Sequence, residues 1–165
     1  MDSPPVDAIR IDVDGSVRHH FQAACGGVIR NSEGSWLMGF CKSLGLHSVI
    51  EAELYAILLG LKLGHQMGFR KILLYSDSLD AVNVLMRDSC HEDHPLRAVI
   101  REIRDLLFQD WDVTIHYTPR DNIACADYMA KEGHDAPGDT DVLLAPTVPA
   151  GCWEMVLRDR LNSHT

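Results

Sequence analysis

No apolar run in the chain approaches the roughly 20 residues of a membrane-spanning helix. The longest candidate, Ala56-Ile57-Leu58-Leu59-Gly60-Leu61, stops at Lys62. The opening Met1-Asp2-Ser3-Pro4-Pro5 has neither a basic stretch nor an apolar stretch behind it, so no secretory signal is expected. An intracellular protein, nuclear or cytoplasmic and not secreted, is the expectation, without a membrane partner and as a monomer. The five cysteines, Cys25, Cys41, Cys90, Cys125 and Cys152, form no CxxC pair. That spacing supports neither a zinc knuckle nor a disulfide framework, and several of them fit small core positions in a reducing compartment. Positive charge is scarce as well: 15 Lys and Arg stand against 24 Asp and Glu, a net charge of −9. A nucleic-acid binder usually carries the opposite balance, because neutralising phosphates drives its affinity. If nucleic acid is the partner, binding should be weak, with a shallow dependence on salt.

What remains is ordinary for a globular domain, with 46% hydrophobic and 24% charged residues. At 165 residues the chain fits one domain. Residues 1–7 read as a loose arm, 8–134 as the folded domain, and 135–165 as a Pro-, Gly- and Asp-rich tail with a short helix over 152–161. Ile9, Ile11 and Val13 alternate with Arg10, Asp12 and Asp14, which predicts a strand that ends in a turn at Asp14-Gly15-Ser16. Two further strands, 23–30 and 36–42, flank the hairpin signal Asn31-Ser32-Glu33-Gly34. The period then changes. Leu54, Ile57, Leu58 and Leu61 recur at helical spacing over 49–66, closed by Gly68. A strand over 71–75, a helix over 79–87 capped by Asp77 or Ser78, and a long helix opened by Pro95 follow. A strand over 113–118 and a helix over 123–132 complete the order β-β-β-α-β-α-α-β-α. A meander followed by strand–helix alternation predicts an α/β fold, a mixed five-stranded sheet with helices packed on it.

Four acidic residues stand at the ends or working faces of these elements: Asp14 on the first strand, Glu53 on the first helix, Asp77 after the fourth strand and Asp127 in the last helix. Each has a plain structural alternative. Asp14-Gly15 is a common turn pair, Asp77 suits a helix cap, and Asp127 suits compensation of a helix dipole. Glu53 is harder to explain away, since it sits beside an apolar face where an unpaired carboxylate is costly. His91-Glu92-Asp93-His94 lacks the HExxH spacing of a metal site and reads as a solvated loop. Arg97, Arg101 and Arg104, interleaved with Glu102 and Asp105, read as a solvated helix face.

Taken together and in order, the segments Val13-Asp14-Gly15-Ser16, Gly26-Gly27-Val28-Ile29-Arg30, Glu51-Ala52-Glu53-Leu54-Tyr55-Ala56, Tyr75-Ser76-Asp77-Ser78 and Thr118-Pro119-Arg120-Asp121-Asn122, leading to Ala126-Asp127, resemble the ribonuclease H type 1 family. Within it they look most like the plant reverse-transcriptase-like ribonuclease H domains. The resemblance implies hydrolysis of the RNA strand of an RNA–DNA hybrid. It makes Asp14, Glu53, Asp77 and Asp127 both catalytic and metal-binding, and Gly15, Ser16, Ser78 and Arg120 the substrate contacts. It also implies that the first and fourth strands are neighbours, which would bring Asp14 and Asp77 together. An oxygen-only cluster suits hard cations, Mg²⁺ or Mn²⁺, and two such ions roughly 3.5–4 Å apart would clamp the attacking and leaving oxygens.

The chain departs from the family pattern in four places. The loop before Asp127 offers Arg120 in place of a histidine, Val49-Ile50-Glu51 stands where an Asn pair is common, Leu79 replaces a Gln, and no basic handle helix is present. Those departures keep open a binding module that has lost turnover, and a structure-selective or single-strand nuclease.

Overall fold

The computed structural model describes residues 8–87, 95–138 and 141–157. His91-Glu92-Asp93-His94, Cys90, the N-terminal arm and the end of the tail lie outside these residues.

A mixed sheet forms the centre. Its strands are β1 (Ile9–Val17), β2 (Gln22–Arg30), β3 (Trp36–Leu46), β4 (Lys71–Ser76), β5 (Asp112–Tyr117) and β6 (Leu143–Ala145). The helices are α1 (Val49–Gln66), α2 (Leu79–Met86), α3 (Arg97–Leu107) and α4 (Ala124–Glu132). The sheet order is β5-β4-β1-β2-β3-β6. β1, β2 and β3 form the antiparallel meander, while β4 and β5 run parallel to β1. The expected adjacency of the first and fourth strands is therefore present, with Val13 opposite Ser76. Among the described residues no helix is long and apolar enough to cross a membrane.

Two differences from the sequence reading bear on the site. Asp14-Gly15-Ser16 is not a turn, because β1 continues through it, with Asp14 opposite Gly26 and Ser16 opposite Ala24. Ladder hydrogen bonds along the edge of β2 override the local preference of an Asp-Gly pair, and Gly15 has no positive φ. The sheet also has six strands rather than five. The extra one comes from the tail, where Leu143–Ala145 pairs with Gly39–Cys41 on the free edge of β3. A bare edge carries unpaired backbone groups, and a short strand with one anchoring side chain covers it. That anchor is Trp36, whose indole N–H donates to the Ala145 carbonyl at 2.9 Å.

The tail then crosses α4. Cys152 and Val156 pack with Val28, Cys41, Cys125 and Met129 into a second small core. This cluster fixes the helix that carries Asp127. Val156→Ala should cost roughly 1–2 kcal/mol through the methyl groups lost from that core. A urea titration measures this, and an unchanged midpoint would mean the tail does not dock in solution.

The main core lies on the opposite face of the sheet, under α1. Gly60 of α1 lies against Val13 and Ile11, whereas Gly26 of β2 lies against Met129 of α4, so the two helices cover opposite faces. Burial on both sides of β1 explains why its polar positions are not solvated. Arg10, Asp12 and Asp14 are as buried as their apolar neighbours.

Candidate metal centre

Each acidic side chain is placed by a local device. The helix α1 begins at a capping box. The Ser48 hydroxyl accepts from the Glu51 N–H at 3.3 Å, and the Glu51 carboxylate accepts from the Ser48 N–H at 3.0 Å. Two residues later Glu53 points inward. Its Oε1 accepts from the Gly15 N–H at 2.6 Å, and Asp14 Oδ1 accepts from the same N–H at 3.0 Å. Gly15 is required here for space. A Cβ would lie 2.7 Å from the Ala52 carbonyl carbon and 2.8 Å from the Glu53 nitrogen. Gly26, opposite Asp14, performs the same service for α4, since its Cβ would lie 2.5 Å from the Met129 backbone. Missing side chains on two paired strands thus let two helices bring their carboxylates to β1.

Asp14, Glu53 and Asp77 offer oxygens that all lie within 4.8 Å of one another. Asp127 is not part of that tight group. It sits in the first turn of α4, with its carboxylate held by Lys131 at 3.0 Å. Asp127 nevertheless lies close enough for its charge to act on Asp14.

Burial pushes the Asp14 carboxyl far above the usual carboxylate range, and the charges of Glu53 and Asp77 add to the effect. Glu53 is raised mainly by burial as well, with the hydrogen bond it accepts from the Gly15 N–H working the other way. Asp14 and Glu53 therefore resist carrying two full charges without a cation. One oxygen of each, Asp14 Oδ2 and Glu53 Oε2, is buried with no hydrogen-bond partner. An all-oxygen donor set with two unpartnered buried lone-pair positions suits a hard divalent cation, and Asp14, Glu53 and Asp77 are the residues that could hold it.

Arg120 reaches this group from the loop before α4. Its Nε donates to Asp77 Oδ2 at 3.2 Å, while most of the guanidinium remains exposed. The hydrogen bond to Asp77 raises the arginine's pKa further, so it stays charged. Ser78 caps α2 by accepting from the Ala81 N–H at 3.2 Å. Ser16 is engaged as well, 2.9 Å from Nε2 of His134, whose pKa is lowered by burial and then by nearby Arg18.

Sequence reasoning missed a buried ion network behind the site. Arg10 Nε donates to Asp12 Oδ1 at 2.7 Å, and Arg30 approaches the other Asp12 oxygen at 3.8 Å. The Arg10 guanidinium also lies 4.3 Å from the centre of the Tyr75 ring and donates to the Asn122 carbonyl at 3.4 Å. It ties β1 and β4 to the loop that carries Arg120. The clue was present in the sequence as Arg10 and Asp12 two apart on a strand, on one face with Asp14.

The comparisons with known proteins agree with this architecture. Residues 12–133 match the family described as Reverse transcriptase-like. The chain belongs to that family. It is a ribonuclease H-type domain in sequence and in fold. An Arabidopsis thaliana protein that bears a ribonuclease H name is 30% identical over 129 residues, 78% of this chain but 21% of the relative's length. The chain thus spans about a fifth of that relative. RNase H1 of the archaeon Halobacterium salinarum is 27% identical, with a TM-score of 0.72 over 78% of this chain and 98% of that one. LC11-RNase H1, solved with an RNA/DNA hybrid, shares the fold at a TM-score of 0.70 and 21% identity, covering 77% of this chain and 96% of its own.

Proposed function

We propose that the domain is a divalent-metal-dependent endonuclease that hydrolyses the RNA strand of RNA–DNA hybrids. Asp14, Glu53, Asp77 and Asp127 are its metal-binding and catalytic residues. The observation that carries this reading is the pair of buried, unpartnered oxygens on Asp14 and Glu53, within a group that includes Asp77. The ribonuclease H names of the Arabidopsis and Halobacterium relatives support it. Bound Mg²⁺ or Mn²⁺, two ions in the reading the resemblance implies, would activate water and neutralise charge on the phosphate.

The chain's own groups do the positioning. The Gly15 N–H, donating to both Asp14 and Glu53, sets the spacing of the two buried carboxylates. Asp77 completes the group from the end of β4, and Asp127, on α4 outside that tight group, would join it through the charge it already exerts on Asp14. Gly15, Ser16 and Ser78 lie on the strand and helix ends that flank the cluster, where the substrate backbone would run. Arg120 cannot move a proton, but it can hold a phosphate oxygen and stabilise charge that develops there.

Two arrangements give a second reading its basis, a nucleic-acid-binding or protein-interaction module that has lost turnover. Asp77 is already paired with Arg120, and Asp127 with Lys131, so protein cations neutralise the two outer carboxylates. One assay separates the readings. Labelled RNA–DNA hybrid, double-stranded RNA and double-stranded DNA are each incubated with Mg²⁺, Mn²⁺ or chelator. Cleavage of the hybrid's RNA strand only with metal supports the enzyme. Binding without cleavage under every condition supports the module.

Arg120→Ala should lower turnover by about 10–100-fold, the usual worth of a charged hydrogen bond. Half-maximal activity should need less Mg²⁺, because a competing cation leaves Asp77. The pH–rate profile should keep its shape, since no titrating group is removed. Unchanged turnover would make Arg120 a surface residue.

A further inference from the structure

The turn between β1 and β2 combines three unusual properties. It is strained: His20 and Phe21 are consecutive non-glycine residues in the left-handed region, at φ 59° and 61°. Such backbone is costly for a bulky side chain and persists where the surroundings hold it. Here the Phe21 carbonyl accepts from the His47 N–H at 2.9 Å, and the Arg18 N–H donates to the Gln22 carbonyl at 2.8 Å. The turn is also apolar at its tip, where Phe21 is 66% exposed beside the equally exposed Leu46, which faces Gln22 across the ladder.

The third property is charge. Of the chain's 24 acidic residues, one, Glu33, falls between Gly15 and Ile50. Glu33 belongs to the hairpin at the far end of β2 and β3. Arg18, His19 and His20 therefore have no acidic residue near them in sequence, in a protein of net charge −9, and the charges of Arg18 and of Asp135 both reach His134. The turn also lies on the line of the site. Four residue steps of extended chain lead from Asp14 to Arg18, about 13 Å at roughly 3.3 Å per step. That is about four nucleotide steps of 3.4 Å.

We propose that Phe21 is a stacking platform for an unpaired nucleotide that flanks the duplex held at the carboxylate cluster, with Arg18 contacting its phosphate. This rests on the nucleic-acid substrate proposed above and adds a preference for hybrid next to single strand. A ring raised on a protruding turn can stack only on an open base face, and inside a duplex both faces of each base are already covered. An aromatic ring beside basic groups is the pattern that binds single strands without reading sequence.

The test is binding of blunt hybrid and of the same hybrid with a five-nucleotide single-stranded overhang, followed by fluorescence anisotropy in Ca²⁺. The wild type should bind the overhang form about 10-fold more tightly. Phe21→Gly should abolish that difference and leave blunt binding unchanged, while Phe21→Trp preserves it. Glycine accepts a positive φ at no steric cost, so Phe21→Gly should melt no lower than the wild type. Arg18→Gln should reduce the slope of log affinity against log salt by about 1 for the overhang form only. Equal wild-type affinity for the two hybrids, or a Phe21→Gly variant that keeps the difference, would overturn the platform. Failure of the nuclease reading is separate: an overhang preference without any cleavage keeps the platform and removes the enzyme, and cleavage without the preference does the reverse.

Discussion

Asp14→Asn should lower hydrolysis of an RNA–DNA hybrid by about 10³-fold or more, the scale on which losing one well-placed charged group raises a barrier. The neutral amide binds a hard cation poorly, and the charges of Glu53, Asp77 and Asp127 all act on Asp14. The same change should make the metal-free protein more stable at neutral pH. In the folded protein the Asp14 and Glu53 carboxyls lie above their unfolded values, which are about 4. The stability that their protonated forms contribute is complete below about pH 4 and is lost as pH rises through the folded values. In chelator, the wild type should therefore melt progressively lower as pH is raised from 5 to 9. The asparagine variant should show a flatter profile and a gain of roughly 1–3 kcal/mol at the alkaline end. Saturating Mg²⁺ should flatten the wild-type profile too, because the cation takes over from the proton. A wild-type melting curve indifferent to both pH and metal, together with full activity of the variant, would place the centre elsewhere.

Arg10→Ala should destabilise the fold by about 3 kcal/mol, because it leaves the Asp12 charge buried with a poorer partner. Asp12 is 1% exposed and Arg10 6%, so water cannot replace the lost guanidinium. Arg30 keeps a longer contact at 3.8 Å, which holds the cost at the lower end of what breaking a buried pair usually brings. Urea unfolding measures the loss. A second readout bears on the site: the Asn122 carbonyl loses its donor, so the Arg120 loop should exchange its amide hydrogens faster. A cost under about 1 kcal/mol would mean that the pair is hydrated in solution and contributes little.

Much of this architecture is legible in the sequence. The meander, the helix at 49–66 and the strand–helix order depend on local periods and on punctuation such as Asn31-Ser32-Glu33-Gly34. These act over a few residues and survive folding unchanged. α1 occupies the very span that its apolar spacing predicts, Val49–Gln66, because the Ser48 capping box and the positive φ of Gly68 mark its two ends. The nature of the site was legible for a different reason. Asp14, Asp77 and Asp127 each suit an ordinary structural use, and it was their order and spacing with Glu53, in segments that resemble the ribonuclease H type 1 family, that pointed to chemistry.

What the sequence could not determine were the long-range contacts. Whether Asp14-Gly15 turns or extends depends on β2, which offers a full ladder of partners eight or more residues further on. Whether Arg10 and Asp12 face water depends on α4 and the 119–122 loop, which arrive more than a hundred residues later. The sixth strand depends on a tail whose composition reads as irregular, yet which finds the open edge of β3 and the indole of Trp36. The sequence by itself determined the nine main elements of the domain and their order, because those follow from local sterics and periodicity. Only the tertiary structure decided that Asp14, Glu53 and Asp77 bring oxygens within 4.8 Å of one another, while Asp127 stands outside that group and pairs with Lys131. Gly15 lets α1 bring Glu53 to Asp14, and Gly26 lets α4, which carries Asp127, approach the same strands, each closer than a side chain would allow.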